Sequence, residues 1–98
     1  MQYVEVATVE QIKEGEGKKV VVEGKSIALF KKGGEIFALS DTCAHRGGPL
    51  SEGIIDEGCV VCPWHNFDYD LRTGKSSQNC EVPTYEVKIA DEKVFIKV

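Results

Sequence analysis

This chain has little of what several common function classes require. Its 12 basic residues are outnumbered by 16 acidic ones, which gives a formal net charge of −4. Nucleic-acid binding needs a basic face, so that class is disfavoured. No apolar run is long enough to span a membrane, and residues 1 to 20 have no apolar signal core, so we expect a cytoplasmic protein without a membrane partner. No Ser-His-Asp set or phosphate loop is visible, and we do not expect an enzyme.

The chain has four cysteines in 98 residues, a number that could suggest a disulfide framework. A disulfide framework would need a secretory context, which the N-terminus does not indicate, so we expect reduced thiols. Cys59 and Cys80 could be extra metal ligands or a disulfide pair. The sequence favours small buried thiols for both, because that is the commoner state of a lone cysteine.

The two remaining cysteines each stand beside a histidine. Cys43-Ala44-His45 and Cys62-Pro63-Trp64-His65 are separated by sixteen residues. Thiolate and neutral imidazole are ligands for zinc and for iron–sulfur clusters. A structural Cys₂His₂ zinc site is one interpretation, although classical fingers group Cys with Cys and His with His. A two-iron cluster could take both thiolates on one iron and both imidazoles on the other.

The pattern closely resembles the Rieske motif, C-x-H followed at this distance by C-x-x-H. The likeness continues in three flanking stretches, which are Gly48 to Gly53, Phe67 to Gly74 and Val82 to Val87. The chain is similar to small soluble Rieske ferredoxins. This resemblance implies one [2Fe–2S] cluster per chain, with Cys43 and Cys62 on the inner iron and His45 and His65 on the outer iron.

The resemblance also suggests roles for neighbouring residues. The Tyr69 hydroxyl would donate to the thiolate of Cys43, and Pro83 would lie in a third loop that shields the cluster. Trp64 would pack over the site or offer an apolar docking contact, with plain core packing as the alternative. Arg46 would be a structural hydrogen-bonding residue.

High-potential relatives differ from this chain in the residues around the ligands. They have an extra Cys at each of the two positions that Gly48 and Trp64 hold in this chain, and a Ser where it has Phe67. We therefore expect a potential near the bottom of the Rieske range of about −150 to +300 mV. Asn66 replaces a common Gly after the second His, and Asn tolerates positive φ.

Apolar alternation predicts a mostly antiparallel β structure. Thr8 can cap a helical turn, and Gly24-Lys25, Gly33-Gly34 and Asp91-Glu92 are candidate hairpin turns. The predicted strands are 2–7, 19–23, 26–31, 35–39, 85–90 and 93–98. With the resemblance, this predicts one all-β domain over 1–98 with the Rieske fold. Its antiparallel sandwich-like base would comprise 1–39 and 84–98, with a loop-rich cluster-binding lobe at 40–83.

Charge is unevenly distributed between these two parts. Residues 40 to 83 carry seven acids against three bases, whereas the remainder holds nine of each. An acidic lobe favours a partner with a basic docking site, and a solvated acidic surface is the alternative interpretation. Asp68 and Asp70 alternate on a predicted strand, so we expect solvated side chains there and no acid/base pair.

The function that the resemblance implies is electron transfer. The chain would pass single electrons from a flavin-dependent ferredoxin reductase to a terminal oxygenase or other oxidoreductase. The resemblance points to a ring-hydroxylating dioxygenase or a similar oxygenase as the acceptor. One alternative is a small non-catalytic subunit of a larger enzyme, resembling that of nitrite reductase. Another is a structural zinc module for protein interaction, which would be colourless.

Overall fold

The structure is a computed structural model that describes residues 2–42, 48–63, 67–77 and 79–97. These residues form strands and two single 3₁₀ turns, Val9–Gln11 and Leu50–Glu52, and no α-helix lies among them. The strands are β1 Tyr3–Thr8, β2 Gly17–Val22, β3 Lys25–Lys32, β4 Glu35–Ser40, β5 Ile54–Asp56, β6 Cys59–Val61, β7 Asp68–Asp70, β8 Thr84–Tyr85, β9 Val87–Ala90 and β10 Lys93–Lys97. The predicted all-β class is confirmed.

The strands form three antiparallel sheets. Strands β1, β10 and β9 make one sheet in that order, and β2, β3, β4 and β8 make a second. Both sheets therefore join residues from the two ends of the chain. Strands β5, β6 and β7 form a third sheet in the middle of the sequence. The region expected to be loop-rich thus has a small sheet of its own.

Hairpin turns with positive φ at both central residues connect several strands. Gly33-Gly34 (φ 63° and 79°) and Asp91-Glu92 (φ 52° and 63°) lie where the sequence predicted turns. The β2–β3 turn is Glu23-Gly24 (φ 50° and 80°), one residue before the predicted Gly24-Lys25. This turn type matches the right-handed strand twist and favours glycine at its second position, which leaves Lys25 to pair with Val22.

The predicted strand 85–90 is divided between two sheets. Thr84–Tyr85 pairs with β4, whereas Val87–Ala90 pairs with β10. Between them, the carbonyl of Glu86 accepts a hydrogen bond from the Lys97 amide at 3.0 Å. Polar and apolar side chains alternate with the same period in both sheets. The sequence pattern therefore could not show that the chain changes from one sheet to the other between β8 and β9.

Strand β3 joins the two hydrophobic cores. Ile27 and Leu29 pack in one core with residues of β1, β4 and β10. Ala28 and Phe30 pack in the other core, which contains buried residues from 50 to 82. All four side chains are 0% exposed, because successive side chains point to opposite faces of a strand and both faces of β3 are covered.

Gly74 shows how tightly the segment after β7 approaches the core. Its φ is +75°, and an added Cβ would lie 2.2 Å from the carbonyl oxygen of Val82. Gly74→Ala should lower the free energy of unfolding by about 2–5 kcal/mol. The left-handed backbone conformation is strained for alanine, and the added Cβ would also clash with the Val82 carbonyl. Gly34→Ala is the matched control, since Gly34 has φ +79° but open space around it. Urea titrations giving equal losses would contradict this prediction.

Candidate metal centre

The structure describes three of the predicted site residues, Cys62, Tyr69 and Pro83. The others lie outside the described residues, in segments 43–47 and 64–66. They are Cys43, His45, Arg46, Trp64 and His65, together with Asn66. The four-ligand set therefore stays a prediction, and the structure shows how the chain is held on either side of each Cys/His pair.

The first pair lies between two segments that hydrogen-bond to each other. Thr42 and Pro49 form an isolated antiparallel bridge, and the Leu50 amide donates to the carbonyl of Asp41 at 2.7 Å. The Asp41 carboxylate is buried, with only 3% of the residue exposed, and it accepts a hydrogen bond from the Ser51 amide at 2.7 Å. The buried Asp41 carboxylate thus helps to hold residues 41–42 against residues 49–51. We call these two paired segments, which flank residues 43–47, the first stem.

The second pair begins at the end of a β-hairpin. Val61 and Asp68 are the last paired residues of β6 and β7. Beyond them, the Cys62 amide donates to the carbonyl of Phe67 at 2.7 Å, which closes the hairpin loop at its base. Cys62 is 0% exposed. The loop is therefore held at the residue that the motif assigns as a ligand.

Both stems share one buried core. Leu50, which lies in the first stem, packs in the same core cluster as Cys62, Tyr69 and Val82. The described residues that flank the two Cys/His segments therefore share a common apolar base. Soft thiolates beside imidazoles, with one cysteine already buried, suit an iron–sulfur cluster, and the residues present fit the group that the motif predicts.

Tyr69 lies at the centre of this core. It pairs with Val60 across β6 and β7 and is 0% exposed. Its hydroxyl oxygen lies 3.6 Å from Sγ of Cys80, a hydrogen-bond distance for sulfur. The predicted bond from Tyr69 to Cys43 falls outside the described residues. The contact with Cys80 was missed from the sequence, because a single Cys in a loop carries no periodic signal.

Pro83 lies directly before β8 and is exposed. Its carbonyl accepts a hydrogen bond from the Ser40 amide at 2.9 Å. Ser40 ends β4, three residues before Cys43, so the segment containing Pro83 is anchored beside the start of the first loop. Its predicted shielding of the cluster stays a prediction.

Asp68 and Asp70 differ from the solvated side chains that we expected. Both are half-buried on β7 and accept hydrogen bonds from the following segment. Asp68 accepts from the Ser77 hydroxyl at 2.7 Å and from the Ser77 amide at 3.1 Å, and these bonds hold the pKa of Asp68 below its usual value. Asp70 accepts from the amides of Arg72 and Thr73 at 2.7 and 3.1 Å. The two carboxylates therefore organise a turn, as local strand and turn chemistry can.

Cys59 and Cys80 are not in disulfides, and both are half-buried where full burial was expected. Cys59 lies opposite Asp70 on one neighbouring strand and opposite Asp56 on the other. Burial raises the pKa of the Cys59 thiol, and the nearby carboxylates, Asp68 first among them, raise it further. Cys59 is therefore a thiol that ionises less readily than a free cysteine.

Alkylation of Cys59 by iodoacetamide should test this directly. Near neutral pH we expect Cys59 to react more slowly than the same cysteine in a short synthetic peptide, because thiolate is the reactive form. The rate should rise only at a pH above the usual range for a cysteine thiol, as Cys59 ionises. Peptide mass spectrometry would measure it. Protection that persists at high pH and ends only on removal of metal would instead identify Cys59 as a ligand.

The described surface of this part of the chain is acidic. Glu52, Asp56 and Glu57 are exposed around Ile54, which is 73% exposed on the edge strand β5. Arg72 is paired with Glu35 of β4, with both guanidinium–carboxylate distances between 2.8 and 2.9 Å. The partner raises the pKa of Arg72. This cation is therefore directed to the neighbouring sheet and does not neutralise the acidic surface.

No helix in the described ranges is long and apolar enough to cross a membrane. The chain is 38% identical over 96 residues to the anthranilate 1,2-dioxygenase ferredoxin subunit of Burkholderia cepacia, covering 95% of this chain and 89% of that protein. It superposes on the ferredoxin of carbazole 1,9a-dioxygenase from Nocardioides aromaticivorans IC177 with a TM-score of 0.91 and 28% identity, covering 98% and 97% of the two chains.

A third similar structure is a complex of reduced oxygenase and oxidized ferredoxin in carbazole 1,9a-dioxygenase. It has a TM-score of 0.88 and 24% identity, and covers 96% of this chain and 91% of that one, so it supports the fold alone. The family model of the Rieske [2Fe-2S] domain matches residues 2–91. That match spans both stems and the two Cys/His pairs between them, and the chain belongs to the Rieske [2Fe–2S] domain family.

Proposed function

We propose that this chain is a cytoplasmic one-electron carrier that passes electrons from a flavin-dependent ferredoxin reductase to a terminal oxygenase. The observation that carries the proposal is the pair of Cys/His loops whose stems meet in one buried core containing Cys62. A [2Fe–2S] cluster, when bound there, accepts and returns single electrons. The chain contributes the ligands, a buried setting and a docking surface, and it is not itself an enzyme.

The ligand roles follow the family pattern. Cys43 and Cys62 would hold the inner iron, and His45 and His65 the outer iron. Two ferric ions, two sulfides and two thiolates sum to zero charge, so one-electron reduction leaves a charge of only −1. Neutral imidazole in place of two thiolates keeps that charge low and raises the potential above that of all-cysteine clusters. Arg46 and Trp64 would support this site.

The acidic surface supports transient docking to a basic partner. Glu52, Asp56 and Glu57 lie in the same region of the chain as the two loops. Electrostatic complementarity speeds encounter, and weak redox complexes bury small interfaces of less than about 1,200 Å². The relative from Burkholderia cepacia is named as the ferredoxin subunit of a dioxygenase, which supports an oxygenase as the acceptor.

Tyr69→Phe should lower the midpoint potential of the cluster. Removing a buried hydroxyl donor destabilises the more negative reduced state more than the oxidised one. A hydrogen bond worth about 0.5–1.5 kcal/mol corresponds to about 20–65 mV for one electron. Protein-film voltammetry measures this shift directly. An unchanged potential would show that the Tyr69 hydroxyl does not act on the cluster.

The spectrum of the purified protein tests the proposed function. We expect visible absorbance as isolated and, after dithionite reduction, the electron paramagnetic resonance signal of a histidine-ligated two-iron cluster. Bleaching by a flavin reductase with NADH, and recovery of colour with an oxygenase, would support the carrier role. A colourless protein with one zinc per chain would overturn it. Stable co-purification with a large catalytic chain would favour the reductase-subunit alternative.

A further inference from the structure

We propose that the thiol of Cys80 donates a hydrogen bond to the phenolic oxygen of Tyr69, and that Cys80 is thereby a positioning residue that raises the reduction potential of the cluster. This inference rests on the proposed carrier function. It starts from the distance of 3.6 Å between the Tyr69 hydroxyl oxygen and Sγ of Cys80, at which either atom could donate. Cys80 also packs against the buried core that contains Tyr69 and Cys62.

Backbone hydrogen bonds hold the main chain at Cys80 in place. The carbonyl of Cys80 accepts a hydrogen bond from the Ser76 amide at 2.8 Å, and Lys75 and Glu81 form an antiparallel bridge. The amide of Val82 donates to the carbonyl of Gly74 at 2.9 Å. These bonds join residues 74–76 to residues 80–82. Cys80 therefore meets Tyr69 because of its place in a closed loop, and a change confined to its side chain should leave the loop intact.

The chemistry of the two groups sets the direction of donation. A phenol is a better donor than a thiol, so its proton goes to the strongest acceptor within reach. The predicted bond from Tyr69 to the Cys43 thiolate gives the phenol an anionic sulfur, which is a stronger acceptor than a neutral thiol. With the Tyr69 proton used in that predicted bond, the phenolic lone pairs accept from the Cys80 S–H. That second bond polarises the hydroxyl and strengthens its donation. The reduced cluster carries the extra negative charge, so the stronger hydrogen bond stabilises it more than it stabilises the oxidised cluster. The reduction potential therefore rises.

Voltammetry of five variants separates this role from simple packing. We expect Cys80→Ala to lower the midpoint potential by less than Tyr69→Phe does, and Cys80→Ser to retain most of the original value because a hydroxyl also donates. In the Tyr69→Phe background, Cys80→Ala should cause no further shift. Cys59→Ala is the matched control, since it removes a half-buried thiol from β6 without touching this pair.

Infrared spectroscopy of the cluster-containing protein gives a second readout, which reports on the Cys80 thiol itself and does not use the potential. The S–H stretch of Cys80, identified by its loss in Cys80→Ala, should move to higher frequency in Tyr69→Phe because the acceptor is gone. The stretch of Cys59 should stay in place. An unmoved Cys80 band would show that its thiol does not donate to Tyr69, and would overturn the proposal.

The remaining outcomes are also decisive. A higher potential in Cys80→Ala would mean that Tyr69 donates to Cys80, the reverse of the proposed direction. An unchanged potential, or an equal shift with and without Tyr69, would overturn the positioning role while leaving the carrier function standing. A protein without the visible absorbance of the cluster would overturn the proposed function and this role together.

Discussion

Cys62→Ser should yield a protein without the cluster. Serine replaces a soft thiolate ligand with a hydroxyl that binds iron poorly at neutral pH, and it places that hydroxyl in a core where Cys62 is 0% exposed. We expect the visible absorbance and the reduced paramagnetic signal to be lost, with the iron content of the purified chain near zero.

The matched control for this substitution is Cys59→Ser. Cys59 is three residues earlier, on β6, and lies outside both Cys/His pairs of the motif, so it should contribute nothing to the cluster. We expect full colour and full iron content in this variant. If both variants lose iron and colour equally, the thiols in β6 and directly after it support folding in general. That result would contradict the assignment of Cys62 as a ligand.

Removal of the cluster should destabilise the chain strongly. A domain of 98 residues has modest stability of its own, and a metal site bound only by the folded state adds its binding free energy to folding. A loss of about 3–5 kcal/mol would lower the melting temperature by roughly 12–40 °C in a domain of this size. Calorimetry of holo and chelated protein measures this, and refilling with iron and sulfide should restore the midpoint.

Hydrogen exchange would locate the destabilised region. The amides of Leu50 and Cys62 close the two loop stems, so their protection should fall most when the cluster is removed. Amides of β3, which is buried on both faces, should retain more of their protection. We propose that the cluster stabilises the chain by holding the two stems together. Equal melting temperatures for the holo and chelated protein would contradict this, and so would a loss of protection spread evenly over the chain.

Several turns were predictable because their cause is local. Gly33-Gly34 and Asp91-Glu92 adopt positive φ as expected, since these residues suit a tight hairpin. The β2–β3 turn was predicted one residue too late, at Gly24-Lys25. Gly24 can occupy either position of a two-residue turn, and only the pairing of Val22 with Lys25 decides which position it takes. Local rules therefore give the presence of a turn more reliably than its register.

The contacts of Tyr69 and Asp41 could not be predicted in the same way. Tyr69 meets Cys80 eleven residues away, through a loop closed by the bond between Ser76 and the carbonyl of Cys80. Asp41 is acidic and near a predicted ligand, yet its carboxylate is buried and holds the amide of Ser51. Such contacts depend on where distant segments meet, and neither residue type nor periodicity encodes that position.

The sequence by itself determined the chemistry of this protein: two Cys/His pairs at a spacing that few sites share, in a chain of alternating strands with an acidic middle. Only the tertiary structure decided that the chain after Tyr85 changes sheets and that β3 is covered on both faces. It also placed Cys80, rather than Cys59, beside the buried tyrosine. The physical reason is that ligand type and strand period are properties of neighbouring residues, whereas sheet partners and buried contacts depend on the packing of the whole chain.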